Sequence, residues 1–218
     1  HTVERVEVPE QEEVDSFLPK FEPLNRLDPQ NPMSINIAVS PAHSMEMRYQ
    51  LDRQMESARS VISEVDEQFA KAFGRRYGGL IDTYRMEGAE TALITLGTAT
   101  STARVAVDEL RAQGRKVGLI KLRFMRPFPH EDIREAVKGL KALGVFDRSI
   151  SVNGFGPVFT EVRSSLYGSS MPITDHIAGI GGRDLKVSTF KEMFALLEES
   201  ASGKRVRDCT WHGLRGEM

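Results

Sequence analysis

The chain has 218 residues, a formal net charge of −2, five histidines and one cysteine. The small negative charge excludes a basic surface field that would attract nucleic acid or anionic lipid. The sequence contains no run of about eighteen apolar residues, the length that a membrane-spanning helix needs. The lone Cys209 excludes an internal disulfide and a self-contained zinc or iron–sulfur site, so we predict a free thiol. The N-terminus at His1 lacks an initiator Met and an apolar signal core, which predicts a cytoplasmic chain that begins inside a longer protein.

Residues 1–43 are rich in proline and charge, with short apolar runs between the prolines. Because proline fixes φ and lacks an N–H donor, long helices and central strands are not expected here. The recurring Phe and Leu residues argue against a disordered tail. We therefore predict an extended arm that packs along another surface.

Residues 44–73 have the pattern of a long helix. Apolar residues recur every three or four positions from Leu51 to Ala72, which places them in one stripe on a charged rod. Gly74 can end this helix in the left-handed conformation. The stripe can pack either on its own domain or on another chain, and the sequence leaves both possibilities open.

From residue 87 onward, short apolar runs alternate with helical patterns. This alternation predicts an open, mostly parallel sheet flanked by helices, preceded by the arm and the long helix. Gly97 turns the chain into the first helix of this region, and Thr189 with Glu192 forms a capping box for the last one. The predicted strands are residues 91–96, 117–122, 143–146 and 173–180, and the predicted helices begin near residues 101, 129, 158 and 189.

Glycine turns follow three of these strands. The turn at Gly97 precedes a helix and could hold a phosphate on free backbone N–H groups, but it lacks the other glycines or the lysine of known phosphate loops. Capping of the helix by Thr100 explains the turn equally well. The glycines at Gly154–Gly156 and Gly179–Gly182 are interpreted as allowing tight turns and close backbone approach. Ligand binding at these turns is the alternative.

The histidines give no sign of metal or nucleophilic chemistry. None is spaced from another as metal ligands on a helix are, and none lies in a recognisable nucleophile motif. We interpret His176, in a predicted strand, as a structural residue with its hydrogen bonds satisfied.

Charged residues cluster at the predicted ends of two strands, which we expect to be neighbours in the sheet. Arg123, Arg126 and Arg148 lie there with Asp147, at the edge where open α/β sheets bind ligands. An ion-pair network at a domain contact explains the set as well as a ligand site does. We predict an interface role for these four residues, and no catalytic, cofactor-binding or metal-binding residue anywhere in the chain.

From residue 87 to 184 the sequence resembles the second domain of the α subunit of pyruvate:ferredoxin oxidoreductases, which is similar to the C-terminal domain of transketolase. The flanking segments resemble the end of that subunit's first domain and its C-terminus. The resemblance is carried by AETALITLG at 89–97, VAVDELR at 105–111, KVGLIKLR at 116–123, RPFP at 126–129, FDRSI at 146–150, FTEVRSSLY at 159–167, IAGIGGRD at 177–184, VPEQEEVDSFLP at 8–19, FGRRYG at 73–78 and WHGL at 211–214.

The resemblance implies oxidative decarboxylation of a 2-oxoacid with thiamine diphosphate, Mg²⁺, [4Fe–4S] clusters and coenzyme A, with electrons passed to ferredoxin. It implies that residues 1–86 end the first domain and that residues 87–218 form the transketolase-like domain. The groups facing the thiamine and the substrate belong to the remaining first domain, and the diphosphate and clusters to other subunits or domains. The implied partners are that first domain and the β, γ and δ subunits, so this chain is expected to bind no cofactor and to be inactive alone.

Within the family, the RPFP and DRSIS stretches favour pyruvate. Val39–His43 and the residues after Ser151 depart from the common pattern, which leaves oxalate or a longer or branched 2-oxoacid as alternatives. Two readings outside the family also stay open. The chain could be a free-standing nucleotide- or coenzyme A-binding module using the Gly97 turn, or a purely structural interaction domain.

Overall fold

The computed structural model describes residues 5–34, 38–152 and 154–216. The predicted start at His1 and Asn153 of the predicted glycine loop lie outside these residues. The chain divides into two compact units, and the boundary along the chain falls between Tyr77 and Gly78. Each unit is described by itself below.

The first unit consists of two helices, α1 (Gln11–Phe17) and α2 (Pro41–Phe73). The long helix was predicted, and Gly74 ends it with φ of +67° as expected. It begins three residues before the predicted start, because proline is tolerated in the first turn, where its missing N–H has no helical partner. The short α1 was not predicted, and it forms inside the proline-rich arm through a reciprocal capping box between Glu10 and Glu13.

Packing inside this unit is sparse. Phe17 of α1 contacts Phe69 and Phe73 of α2, with ring centroids 5.9 and 5.3 Å apart. The only buried residue of α2 is Asp66, and Leu51 at the start of the predicted apolar stripe is half exposed. Within the described chain, the stripe is therefore not covered along its length. None of the described helices, α2 included, has the length and apolarity that a bilayer-crossing helix requires.

The second unit contains one six-stranded sheet, in the order β1-β3-β2-β4-β5-β6. Every strand pair is parallel except β1 with β3, and this confirms the predicted fold class. The strands are β1 (Ile81–Tyr84), β2 (Thr91–Leu96), β3 (Val117–Leu122), β4 (Ala142–Asp147), β5 (Ile173–Ile177) and β6 (Cys209–Trp211).

Helices cover both faces of the sheet, as repeated strand–helix units require. One apolar core lies under α3 and α6, and the other lies under α4 and α5. These helices are α3 (Ala99–Ala112), α4 (His130–Ala136), α5 (Pro157–Ser165) and α6 (Val187–Ala201).

Three sequence-based expectations differ from this structure. Residues 81–84 form β1 and so pair with the sheet, although we had placed them in the N-terminal segment that ends at residue 86. The C-terminal tail contributes β6, which was not predicted. The capping box at Thr189 and Glu192 is wrong, because α6 already begins at Val187 after Lys186, and both residues lie inside the helix.

Candidate functional site

The strongest topological candidate for a site is the crevice between β2 and β4. The chain leaves β2 toward β3 on one side and leaves β4 toward β5 on the other, so the connections diverge between these two neighbours. Ligands of open α/β folds bind outside the carboxyl ends of strands at such a switch point. The sequence could not locate this crevice, because strand order does not follow from periodicity.

A cleft of about 180 Å³ lies at this position. Thr98 and Ala99 reach it from the turn after β2, Arg148 from the end of β4, and Gly182 and Arg183 from the turn after β5. Two glycine turns that the sequence analysis treated separately therefore meet here with Arg148, one of the three predicted interface arginines. Two guanidinium groups and the start of α3 could contact a small anion.

The turn that begins α3 has the expected geometry but a different capping arrangement. Gly97 adopts φ of +66°, which is left-handed and favours glycine. Thr100 does not cap the helix, since Thr98 precedes its first residue and makes no side-chain cap. The hydroxyl of Thr100 instead lies 3.0 Å from that of Thr95 at the end of β2, buried inside the fold.

The four predicted interface residues do not form one cluster. Strand β2 lies between β3 and β4, so Arg123 and Arg126 after β3 are separated from Asp147 and Arg148 on β4. Our premise of neighbouring strands was wrong. The physical reason is that the chain adds β3 on one side of β2 and β4 on the other, a choice that the local apolar pattern does not encode.

Each arginine of this set has a partner inside its own domain. Arg123 donates to the carbonyl of Gly79 at 2.7 Å, and Arg126 pairs with Glu161 at 2.6 Å. Arg148 reaches the carbonyl of Gly179 at a longer 3.4 Å. These contacts do not test an interface role, which stays a prediction.

Asp147 anchors the start of α5, and it forms no ion pair with any residue that the structure describes. Its two carboxylate oxygens accept hydrogen bonds from the backbone N–H groups of Val158 and Phe159, at 3.2 and 3.0 Å. Asp175 accepts the N–H of Gly156 at 2.7 Å. The two carboxylates together satisfy the first N–H groups of the helix, which have no intrahelical partners.

Burial perturbs this pair of carboxylates. It raises the pKa of Asp147 to about 6, against the lowering effect of its two backbone hydrogen bonds and with a further rise from the nearby Asp175. Burial also raises the pKa of Asp175, against the hydrogen bond from Gly156. Like charges brought together in a buried place disfavour the second ionisation.

Cys209 faces this pair from β6. It lies opposite Asp175 in the strand register, and burial together with that carboxylate raises the pKa of its thiol to about 11. A thiolate is the form that attacks substrates and binds iron or zinc. At neutral pH this group is therefore a protonated thiol, poorly suited to either role.

A hydrogen-bonded histidine pair lies on the opposite face of β5. His176 is fully buried; its Nε2 is 3.0 Å from the hydroxyl of Thr174 and its Nδ1 is 3.0 Å from Nε2 of His212. Nδ1 of His212 lies 3.7 Å from the carboxylate of Glu192 on α6. The structural interpretation of His176 is confirmed, but the sequence gave no sign of its partner 36 positions away.

Burial dominates the titration of both histidines. It lowers the pKa of His176 to about 3, with a smaller lowering from His212. It also lowers the pKa of His212, and Glu192 partly offsets this. The pair therefore joins the C-terminal tail to β5 in the neutral form. Among the described residues, no group of three or more His, Cys, Asp or Glu side chains could hold a metal ion.

Comparisons with known proteins match the region that contains most of the sheet, and some match the whole chain. Residues 89–190 match the family described as Pyruvate:ferredoxin oxidoreductase core domain II. Pyruvate synthase subunit PorA of Methanothermobacter thermautotrophicus is 40% identical over 217 residues, covering 100% of this chain and 55% of that protein. Ketoisovalerate oxidoreductase subunit VorA of Pyrococcus horikoshii is 37% identical over 219 residues, covering 99% of this chain and 56% of that protein.

The chain thus spans about half the length of the curated relatives it matches. Among solved structures, a 2-oxoglutarate:ferredoxin oxidoreductase from Magnetococcus marinus is 18% identical, with a TM-score of 0.45. That match covers 72% of this chain and 24% of the other.

Proposed function

This chain belongs to the pyruvate:ferredoxin oxidoreductase family, with residues 89–190 as its core domain II, and on this basis we propose that it is part of the α subunit of a cytoplasmic 2-oxoacid:ferredoxin oxidoreductase. The observation that supports the proposal is 40% identity along the whole chain to a pyruvate synthase subunit. In this role the chain scaffolds the assembly and does not itself catalyse.

The metal-ligating side chains available in this chain support a role without catalysis. A [4Fe–4S] cluster needs several thiolates, whereas this sequence has one cysteine and the pKa of its thiol is raised to about 11. The chain does not fit a cluster, and we derive no redox step through it. We propose that thiamine diphosphate, Mg²⁺, the clusters and coenzyme A are held by the rest of the α subunit and by β, γ and δ subunits.

The proposed substrate is pyruvate. Relatives named for pyruvate and for ketoisovalerate match the chain at 40% and 37% identity, so overall similarity does not separate the two. The RPFP turn at 126–129 and the DRSIS stretch at 147–151 favour pyruvate. Turnover of pyruvate against ketoisovalerate by the purified complex decides between them.

The isolated 218-residue chain is expected to show no pyruvate-dependent reduction of a viologen and no tight binding of thiamine diphosphate. The same assay on the complete complex, purified with its partner chains, is the positive control. Turnover by the lone chain would contradict the proposal. Calorimetric titration with coenzyme A and with inorganic phosphate tests the rival binding module, which requires saturable binding at the cleft beside Gly97.

Arg126→Ala is expected to weaken the complex while leaving the isolated chain nearly as stable as before. Its pair with Glu161 is exposed, and such pairs contribute about 0–1 kcal/mol. Lys138→Ala is a matched control, because Lys138 forms an exposed pair with Glu135 of α4. Dissociation on dilution measures the effect. An intact complex whose KM for the 2-oxoacid or coenzyme A rises about a hundredfold, or roughly 2.7 kcal/mol, would instead make Arg126 a ligand contact.

A further inference from the structure

The C-terminal edge strand of the sheet has an open outer side. Strand β6 is last in the sheet order and pairs only with β5. Neither Cys209 nor Trp211 forms a backbone hydrogen bond to any loop among the described residues. The N–H and C=O groups along such an edge can accept a further strand from another chain.

The segment that leads into this strand has a net positive charge, with Asp208 as its one carboxylate. Lys204, Arg205 and Arg207 are all exposed. Lys204 lies 4.0 Å from Glu199, whereas Arg205 and Arg207 form no hydrogen bond, ion pair or ring contact with the described residues. The chain as a whole carries a net charge of −2, so this segment is a local exception.

Cations close to α3 and α6, in contrast, have carboxylate partners. Arg115 forms a two-point contact with Glu198, at 2.8 and 2.5 Å, and Lys191 pairs with Glu109. Within the described part of the chain, carboxylates pair with these cations but not with Arg205 or Arg207. A guanidinium fork without a partner is suited to a carboxylate from outside.

Open clefts lie on both sides of the basic segment. One of about 540 Å³ includes Tyr167 and Lys204, and one of about 450 Å³ includes Arg207 and Cys209. Both are lined by Arg205, so they form one surface that crosses the segment. Neither is an enclosed cavity, which favours an extended chain over a small molecule held on all sides.

We propose that β6 and the basic segment 204–207 bind an extended, carboxylate-rich segment of another protein. Its backbone pairs with the outer edge of β6, and its carboxylates contact Arg205 and Arg207. Tyr167 is 95% exposed and Trp211 is 43% exposed, and both are residue types that anchor protein interfaces. This inference goes beyond the proposed function, which assigns no partner to this edge, and it does not depend on the enzymatic activity.

The test uses the 218-residue chain, labelled with ¹⁵N, and a ten-residue peptide in which Glu alternates with Val. We expect amide shift changes confined to the basic segment, β6 and the residues that line the two clefts, with affinity that falls as salt is raised. The same peptide with Lys in place of Glu is expected not to bind. Shift changes elsewhere, or none, would overturn the proposal.

Substitution separates this surface from non-specific charge attraction. The double variant Arg205→Gln/Arg207→Gln is expected to bind the acidic peptide at least tenfold more weakly. The matched control Lys138→Gln/Lys141→Gln removes two exposed cations that already have carboxylate partners, and it is expected to bind normally. Equal weakening in both variants, or displacement of the peptide by an equal concentration of pyrophosphate, would show a general anion effect and refute a peptide site.

Discussion

Lowering the pH from 7 to 5 is expected to reduce the free energy of unfolding of the native chain by about 2 kcal/mol more than it reduces that of the His176→Gln variant. In the unfolded chain His176 takes up a proton near its ordinary pKa of about 6.5. In the folded chain burial lowers the pKa to about 3, so the imidazole stays neutral throughout this range. Stability from the neutral form is fully present above the unfolded pKa and is lost as the pH falls toward the folded one.

The comparison with a variant is needed because other groups oppose this trend. The pKa of Asp147 is raised to about 6, so the folded state gains a proton before the unfolded state does and becomes relatively more stable as the pH falls from 6 to 4. His212, whose pKa is lowered, acts in the same direction as His176. The contribution of Asp147, which does not contact position 176, is shared by both proteins and cancels in the difference.

Glutamine is the suitable replacement because it can still hydrogen-bond Thr174 and His212 without titrating. Urea unfolding at pH 7, 6 and 5, followed by circular dichroism, gives the two stability curves. NMR titration of the ring of His176 provides an independent measurement, in which no protonation is expected above pH 4. Parallel stability curves, or a ring that titrates near pH 6, would show that burial does not hold this imidazole neutral.

How much of this arrangement the sequence predicts depends on the range of each interaction. The run at 91–96 and the turn at Gly97 were predicted correctly, because apolar pattern and turn chemistry act over a few neighbouring residues. The edge strands β1 and β6 were missed, since four and three residues are too few to show a period. The contact between His176 and His212 depends on strand order, which no local pattern contains.

The same limit explains why the intramolecular partners of Asp147 were not predicted. Its position at the end of a strand was predicted, and a nearby run of arginines made an ion pair the natural expectation. The structure shows instead that its partners are backbone N–H groups of the next helix. That contact requires the chain to approach within a hydrogen-bond length, which Gly156 allows.

Gly156→Ala is expected to lower the free energy of unfolding by about 3 kcal/mol, at the upper end of overpacking costs. A Cβ at this position would lie 2.1 Å from one oxygen of Asp147 and 2.5 Å from its Cβ. Neither can move freely, because Asp147 is fixed by Val158 and Phe159. Gly118→Ala is the control and is expected to cost less, because the nearest obstacle there, at 2.5 Å, is the sulfur of the flexible Met86 side chain, and the less mobile Ala89 Cβ and Arg85 carbonyl lie at 3.1 and 3.2 Å.

A double-mutant cycle with Asp147→Ala identifies the cause. Removing the carboxylate alone costs a helix cap, typically about 1 kcal/mol, but it also removes the carboxylate oxygen and carbon that an alanine at 156 would meet first, and leaves only the Cβ at 2.5 Å. The double variant is therefore expected to lose less free energy of unfolding than the two single losses add up to, by at least about 1 kcal/mol. Such non-additivity is usual for residues in direct contact. Strict additivity would mean that the alanine acts through the backbone of the loop or the Cβ at position 147, and not through the carboxylate of Asp147. Chemical denaturation of the four proteins at pH 7 measures the coupling, because at that pH Asp147 is mostly ionised and its bonds to the start of α5 are at full strength.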